Sequence, residues 1–309
     1  AMMIASVLPF LKTLDKDSPF SKAILLGISG AASIGGMGTL IGSPPNAIAV
    51  EALNNHGVDI GFLEWMMVGF PLAILFTFVF WLLLSKRYIP RVKEVVIKLE
   101  KEEKDDPGSI YKFERIKKRI VLVVLGITLL LWLTEKVHGI PASVVSLLPI
   151  ILLTMSGVIS GDDVRKLPWD TLMLVAGGLA LGLAIKETGL ANFYVEKIQE
   201  FNLNFYILVL CFGFLTVILS NIMSNTATAT ILIPVGIILT FQNPIVLPLV
   251  IGLSASAALF LPISTPPNAI AYSTGKLAQK DFRFGGISMG LMAPIVITIF
   301  VLLIFTWLA

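Results

Sequence analysis

The amino-acid sequence predicts an all-α membrane protein whose core is an inverted repeat of interrupted helices. Three observations lead there: a composition too apolar for a water-soluble globule, a six-residue segment that recurs unchanged, and a run of hydroxyls and amides inside apolar sequence. Of 309 residues, 56% are apolar and 14% charged, with a mean hydropathy of +0.90; a soluble domain carries about 25% charged residues. So much water-avoiding surface belongs in a bilayer. The net charge is only +3, and nucleic acid is not an expected partner. Cys211 is the single cysteine and lies within an apolar run, so no disulfide framework and no Cys/His metal cluster is expected.

A spanning helix needs about 20 mostly apolar residues. The segments 65–85, 120–135, 141–159, 170–186 and 286–309 read as ordinary spans. Segment 1–11 is too short, 205–240 is interrupted at Ser220–Thr230, and 21–54 and 246–280 each carry Pro-Pro in mid-course. The start, Ala1-Met2-Met3, has no basic region ahead of an apolar core and does not read as a secretory signal; it reads as an interior sequence, exposed by truncation. Between Lys86 and Arg119 lie 12 of the 23 basic residues. This solvated connector is cytoplasmic by the positive-inside rule. Threaded from it, with 205–240 entering and leaving on one side, the inner loops collect 20 basic residues and the outer ones only Lys136, Lys186 and Lys197. A re-entrant hairpin is favoured, and a hairpin that spans twice gives the same count.

Pro44-Pro45-Asn46-Ala47-Ile48-Ala49 recurs as Pro266-Pro267-Asn268-Ala269-Ile270-Ala271, 222 residues later. In the threading above the copies run in opposite directions, which is the inverted-repeat architecture of secondary transporters. Proline removes an amide donor and blocks the preceding turn, so carbonyls are freed at membrane depth. Such backbone persists only where protein or a wet cavity surrounds it. The carbonyls around Gly42-Ser43 and Ser264-Thr265 are therefore candidate cation ligands, and the helices restarting at Asn46 and Asn268 aim their amide ends at an anion.

The run Ser220-Asn221-Ile222-Met223-Ser224-Asn225-Thr226-Ala227-Thr228-Ala229-Thr230 supplies neutral oxygens and amide donors. These suit a hard, singly charged cation beside an oxyanion. No basic side chain is expected near either repeat core, so an anion's charge falls to helix N-termini and co-bound cations, which argues for sodium coupling.

Ser224-Asn225-Thr226 and the two Pro-Pro-Asn breaks resemble the divalent anion/sodium symporter family, which carries dicarboxylates, citrate or sulfate. Trp169-Asp170, Gly177-Gly178 and Thr188-Gly189-Leu190 also fit, and the resemblance covers essentially the whole chain. It implies a second sodium site from Ser220, Ser224 and Asn225 with the backbone near Ser264, and a first to which Gly42 gives a carbonyl. It implies substrate contacts from Asn225, Thr226, Ser43, Thr265 and Pro266. It further implies an elevator mechanism, a homodimer, no cofactor beyond the coupling sodium ions, and no enzymatic activity. On this reading residues 1–54 hold the end of a first hairpin and the first broken helix of a transport domain. Residues 55–204 are scaffold with the connector at 86–119, 205–285 hold the second hairpin and second broken helix, and 286–309 form the last transmembrane helix. The family's first Ser-Asn-Thr has no counterpart here, so the functional protein is expected to be longer.

The expected function is sodium-coupled symport of a small dianion, a C4 dicarboxylate first, in the cell inner membrane. The alternatives are an oxyanion transporter such as one for sulfate without sodium coupling, and a membrane assembly protein that transports nothing. Several residues are set aside. His56 and His138 read as helix-end residues, Asp162-Asp163 as a solvated pair near Arg165 and Lys166, and Glu51 as too near the outer boundary. Gly35-Gly36-Met37-Gly38 lacks the strand and lysine of a phosphate loop and reads as a close-packing segment. Trp65, Trp81, Trp132, Trp169 and Trp307 read as interfacial anchors.

Overall fold

A computed structural model describes residues 2–12, 14, 18–88, 109–167, 169, 172–173, 176–177, 180, 184, 187–190, 193, 204–239 and 243–307. Every regular element among them is helical: α1 (Met2–Lys12), α2 (Pro19–Gly35), α3 (Pro44–Asn54), α4 (Phe62–Tyr88), α5 (Ser109–Leu133), α6 (Glu135–His138), α7 (Ala142–Val145), α8 (Leu147–Met155), α9 (Gly161–Arg165), α10 (Phe205–Ile222), α11 (Asn225–Leu239), α12 (Val246–Ala255), α13 (Pro266–Ser273) and α14 (Gln279–Trp307). Among the described residues, Pro19–Gly38, Phe62–Tyr88, Phe205–Ile222 and Gln279–Phe305 are long and apolar enough to cross a bilayer. The chain divides into two compact units, one of residues 1–60, 65–98 and 173–309, the other of 61–64 and 99–172.

In the first unit, α10 and α11 form the expected hairpin. Only Met223 and Ser224 lie outside its helices, so the polar run is far more helical than an interruption from 220 to 230 suggests. The reason is local: Ser224 caps α11, its Oγ accepting from the Ala227 N–H at 3.1 Å, while Thr228, Ala229 and Thr230 are buried within the helix. The hairpin packs on α12, whose ten residues are all buried, and α12 and α11 both pack on α3. Trp65, Phe76, Leu25, Ile34, Leu53 and Leu247 are among the largest fully buried side chains.

Both Pro-Pro segments interrupt helices as expected, but the helices resume at Pro44 and Pro266, two residues before Asn46 and Asn268. Proline at the first helical position has no N–H to satisfy and its φ is already helical. The unwound backbone lies upstream. Between α2 and α3 it is wound into two short 3-10 turns, Gly36–Gly38 and Leu40–Gly42; between α12 and α13 it covers residues 256–265.

One end of this unit gathers charge. Lys22 Nζ lies 3.4 Å from Asp281 Oδ2, with only 15% and 9% of the two side chains exposed. Asp281 Oδ2 also accepts from the Ala278 N–H at 2.8 Å, and Tyr88 and Lys276 join through the Asp281 and Leu14 carbonyls. Lys22 and Lys276 are two of the residues that the charge count assigns to the inner side.

In the second unit α5 packs against α7 and α8. Within segment 141–159 the helical stretch is Ala142–Met155, apolar and shorter than a full span; Pro141 stands at its start. The helix of 120–135 begins earlier, at Ser109, inside the charged connector; residues 89–108 and most of 170–186 lie outside the described residues. Both nitrogens of His138 are used by backbone, Nε2 with the Leu131 carbonyl and Nδ1 with the Ile140 N–H, which leaves the ring a structural role. Asp163 closes a capping box with Ser160 at the start of α9. Hydrogen bonds from the Ser160 side chain and backbone hold its carboxyl below the usual range.

Tryptophan needs a correction. Trp81 and Trp169 are exposed as anchors should be, but Trp65 is 1% exposed and Trp132 buried. Trp132 donates to the Ala142 carbonyl and stacks on Phe62 at 5.1 Å. A buried indole needs an acceptor for its N–H, and in both cases a backbone carbonyl supplies it: that of Met37 in the first break for Trp65, and for Trp132 that of Ala142, which also accepts the Ser146 N–H. The side chain of Trp307 is outside the described residues.

Candidate functional site

Unwound backbone inside an apolar protein must find partners for its polar groups. In the first break, Asn46 Nδ2 donates to the Gly36 carbonyl at 2.9 Å and the Thr39 carbonyl at 2.8 Å. Trp65 Nε1 donates to the Met37 carbonyl at 3.0 Å, and the Gly42 N–H closes on Thr39 at 3.1 Å. In the second break, Asn268 Nδ2 donates to the Leu259 and Leu261 carbonyls, each at 3.4 Å. Ser264 Oγ lies 2.7 Å from the Ala258 carbonyl and 2.8 Å from that of Leu261. The Ser264 N–H closes on Leu261 at 3.2 Å, and the Phe260 N–H donates to Asn221 Oδ1 at 2.9 Å.

The copies thus solve one accounting problem in nearly one way. Gly42 and Ser264 are 222 residues apart, yet one has no side chain and the other a hydroxymethyl. A Cβ at Gly42 would sit 2.3 Å from the Gly36 oxygen, whereas the Ser264 hydroxyl bonds the corresponding Ala258 oxygen. The long helix following each break also crosses it at a glycine: a Cβ at Gly69 of α4 would meet the Met37 oxygen at 2.2 Å, and one at Gly286 of α14 the Phe260 Cα at 2.3 Å.

The breaks and the hairpin tip are joined. Ser33 of α2 donates to Thr265 Oγ1 at 2.9 Å, Asn221 ties the end of α10 to the second break, and α11 packs on α3. Ser43, Ser224 and Thr265 each precede a helix start. Ser43 is extended and half-buried, its carbonyl accepting the Asn46 N–H at 3.0 Å, and Thr265, 2% exposed, accepts the Asn268 N–H. Three helix N-termini, each electropositive, therefore begin at candidate residues. Pro266 is exposed at the first turn of α13, Gly42 is exposed at the end of its 3-10 turn, and Thr226 and Ser264 are buried. Ser220 is fully buried, and neither its Oγ nor the buried Asn225 Oδ1 has a hydrogen-bond partner among the described residues. Ser224 is exposed and already engaged as a cap.

Sequence reasoning missed Ser33 and Trp65 as parts of this assembly, named Asn221 only as one member of the polar run, and used Asn46 and Asn268 only as helix starts. The asparagines stand in the repeat itself, so a signal was present; Ser33 and Trp65 carry none. Gly36 and Met37, read as close packing, are the start of the first break.

The sodium:sulfate symporter transmembrane region, as a family, matches residues 3–309. The chain belongs to this family. It is a membrane protein of a transporter family. It is 34% identical to an uncharacterized transporter of Methanocaldococcus jannaschii, over 91% of this chain and 63% of that protein. It is 31% identical to the sodium-dependent dicarboxylate transporter SdcS of Staphylococcus saprophyticus, over 92% and 59%, and 30% identical to SdcS of Staphylococcus aureus, over 91% and 58%. The chain spans about three fifths of the length of these relatives. Among the described residues no three His, Cys, Asp or Glu cluster as metal ligands do.

Proposed function

We propose that the protein containing this chain is a sodium-coupled symporter of a small dianion, a C4 dicarboxylate first. The observation that carries this reading is the pairing of buried, unpartnered neutral oxygens on Ser220 and Asn225 with three helix N-termini at Ser43, Ser224 and Thr265. Neutral oxygens can take sodium without desolvating a fixed carboxylate, and helix N-termini favour an anion. Among the described buried residues Asp281 is the only charged one, and it is paired with Lys22. Among the described residues no buried cation is therefore at hand to neutralise a dianion, and in this reading co-bound sodium does that work.

In this reading Ser220, Ser224 and Asn225 with the Ser264 backbone hold one sodium ion, and the Gly42 carbonyl serves another. Asn225, Thr226, Ser43, Thr265 and the Pro266 segment face the substrate. Ser224 would exchange its cap bond for the ion, and the donor set fits because every member offers oxygen. The two breaks and the hairpin move as one body in an elevator stroke within a homodimer in the cell inner membrane. The names of the staphylococcal relatives support the dicarboxylate over sulfate; the family description keeps sulfate as the second candidate.

Purified full-length protein in liposomes should take up radiolabelled succinate under an inward sodium gradient and not with choline in its place. Asn225→Ala should abolish uptake while elution and thermal unfolding stay as in the parent. Uptake indifferent to sodium, or unchanged in Asn225→Ala, overturns the reading, and uptake of sulfate alone moves the substrate to an oxyanion.

A further inference from the structure

Each repeat ends its prolines with an asparagine that the ion and substrate assignments leave unused. Asn46 and Asn268 are 0% and 1% exposed, and each turns its carboxamide back onto the break preceding it. The acceptors are in register: Thr39 and Leu261, like the asparagines, are 222 residues apart. Each of these two carbonyls takes a second bond from the N–H three residues on, that of Gly42 at 3.1 Å and of Ser264 at 3.2 Å. One carboxamide thus pins the turn whose last residue carries the candidate sodium-binding carbonyl.

The orientation of the amide follows from its partners, since a flipped Asn46 would set its oxygen against two carbonyl oxygens. Its Oδ1 is buried without a partner among the described residues. A buried unpaired acceptor costs stability, so the side chain is held there by what its N–H groups do to the break. Hydroxyls do not duplicate this in the first break, where residue 42 is glycine. In the second, Ser264 Oγ shares the Leu261 carbonyl and takes the Ala258 carbonyl alone.

We infer that Asn46 and Asn268 are positioning residues that set the sodium affinity of the site by locking the turns ending at Gly42 and Ser264. The inference rests on the sodium-coupled reading above. It also orders the two: Asn46 holds its turn without the hydroxyl that Ser264 adds in the second break, and at shorter distances, so its loss weakens sodium binding more than loss of Asn268.

The test measures thermal unfolding of purified full-length protein across a sodium chloride series, with choline chloride holding ionic strength, and needs no substrate. In Asn46→Ser the sodium concentration giving half of the stabilisation should rise about tenfold or more, as on loss of outer-shell partners of a metal site. Asn268→Ser should show a smaller rise. Asn46→Asp, which keeps the size but presents oxygen to both carbonyls, should match or exceed Asn46→Ser; if it fails to fold, Asn46→Ser decides alone. A fall in melting temperature equal in choline and sodium, with half-stabilisation unmoved, makes the residue merely structural and overturns the inference. A parent protein that sodium does not stabilise overturns the sodium reading itself, and the inference with it.

Discussion

Trp65 shows how a single side chain can be assigned by hydropathy and reassigned by a hydrogen bond. An indole close to a span end belongs at the membrane interface on average, but here its N–H meets the Met37 carbonyl and its ring is packed under the first break. Trp65→Phe orphans that carbonyl and removes one ring of the indole from a buried site, so it should destabilise by at least the roughly 1–3 kcal/mol of an unpaired buried acceptor, measurable as a lowered melting temperature in detergent. Gly42 is decided as sharply by space. A methyl there would stand 2.3 Å from the Gly36 oxygen, a backbone atom that cannot rotate away. Gly42→Ala should displace the turn and raise the sodium requirement of uptake, while Ser264→Ala, which removes a hydroxyl but adds no bulk, should fold and bind sodium more weakly. Gly42→Ala with parental sodium dependence would detach this residue from the ion site.

At the scale of elements, a helix can stop and restart within an apolar protein only if another element covers the gap. Here α4 and α14 cover the two gaps, each laying a glycine over the exposed turn. That choice is steric: the atom opposite Gly69 is the Met37 oxygen and those opposite Gly286 belong to the Phe260 and Leu259 backbone, none of which can rotate away. Gly286→Val should therefore push α14 off the second break and cost about 1–3 kcal/mol as an overpacked contact. Differential scanning fluorimetry would show it, and an unchanged melting temperature would mean that α14 does not bear on the break. The hairpin obeys the same logic. Its tip needs only two non-helical residues because Ser224 caps the second arm, and the threonines beyond it turn their hydroxyls into protein.

For the whole molecule, the exposed apolar side chains of Phe78, Leu122, Ile150 and Leu291 are the surface expected to face acyl chains, and the cluster of Lys22, Tyr88, Lys276 and Asp281 marks one end of the first unit. The charge count puts that end inside. In a Cys211→Ser background, Lys280→Cys should react with a membrane-impermeant maleimide only after permeabilisation, and Val137→Cys should react in intact cells; the reverse pattern would invert the topology. The ion pair itself ties the start of α2 to the start of α14. Lys22→Met should strand the Asp281 carboxylate and destabilise by less than the roughly 3–5 kcal/mol of a fully buried pair, because Lys22 keeps some exposure. Adding Asp281→Asn, which preserves an acceptor for the Ala278 N–H, should restore part of the loss.

Much of this was legible in the residues alone. Composition placed the chain in a bilayer, because apolar surface on that scale has no other solvent, and the repeated Pro-Pro-Asn located both interruptions, because proline cannot continue the hydrogen-bonding of a preceding turn. Ser43 and Thr265 became candidates through that repeat, and Ser224-Asn225-Thr226 through their density in apolar sequence. What periodicity and motif cannot carry is which group satisfies each freed carbonyl. Ser33 reaches Thr265 across 232 positions and Asn221 reaches Phe260 across 39, while Trp65 and the glycines of α4 and α14 act through contacts that no local pattern announces. Hydrogen bonds and close approaches between distant segments are fixed by how helices pack, so the sequence determined where the backbone must break and the tertiary structure alone decided what holds it open.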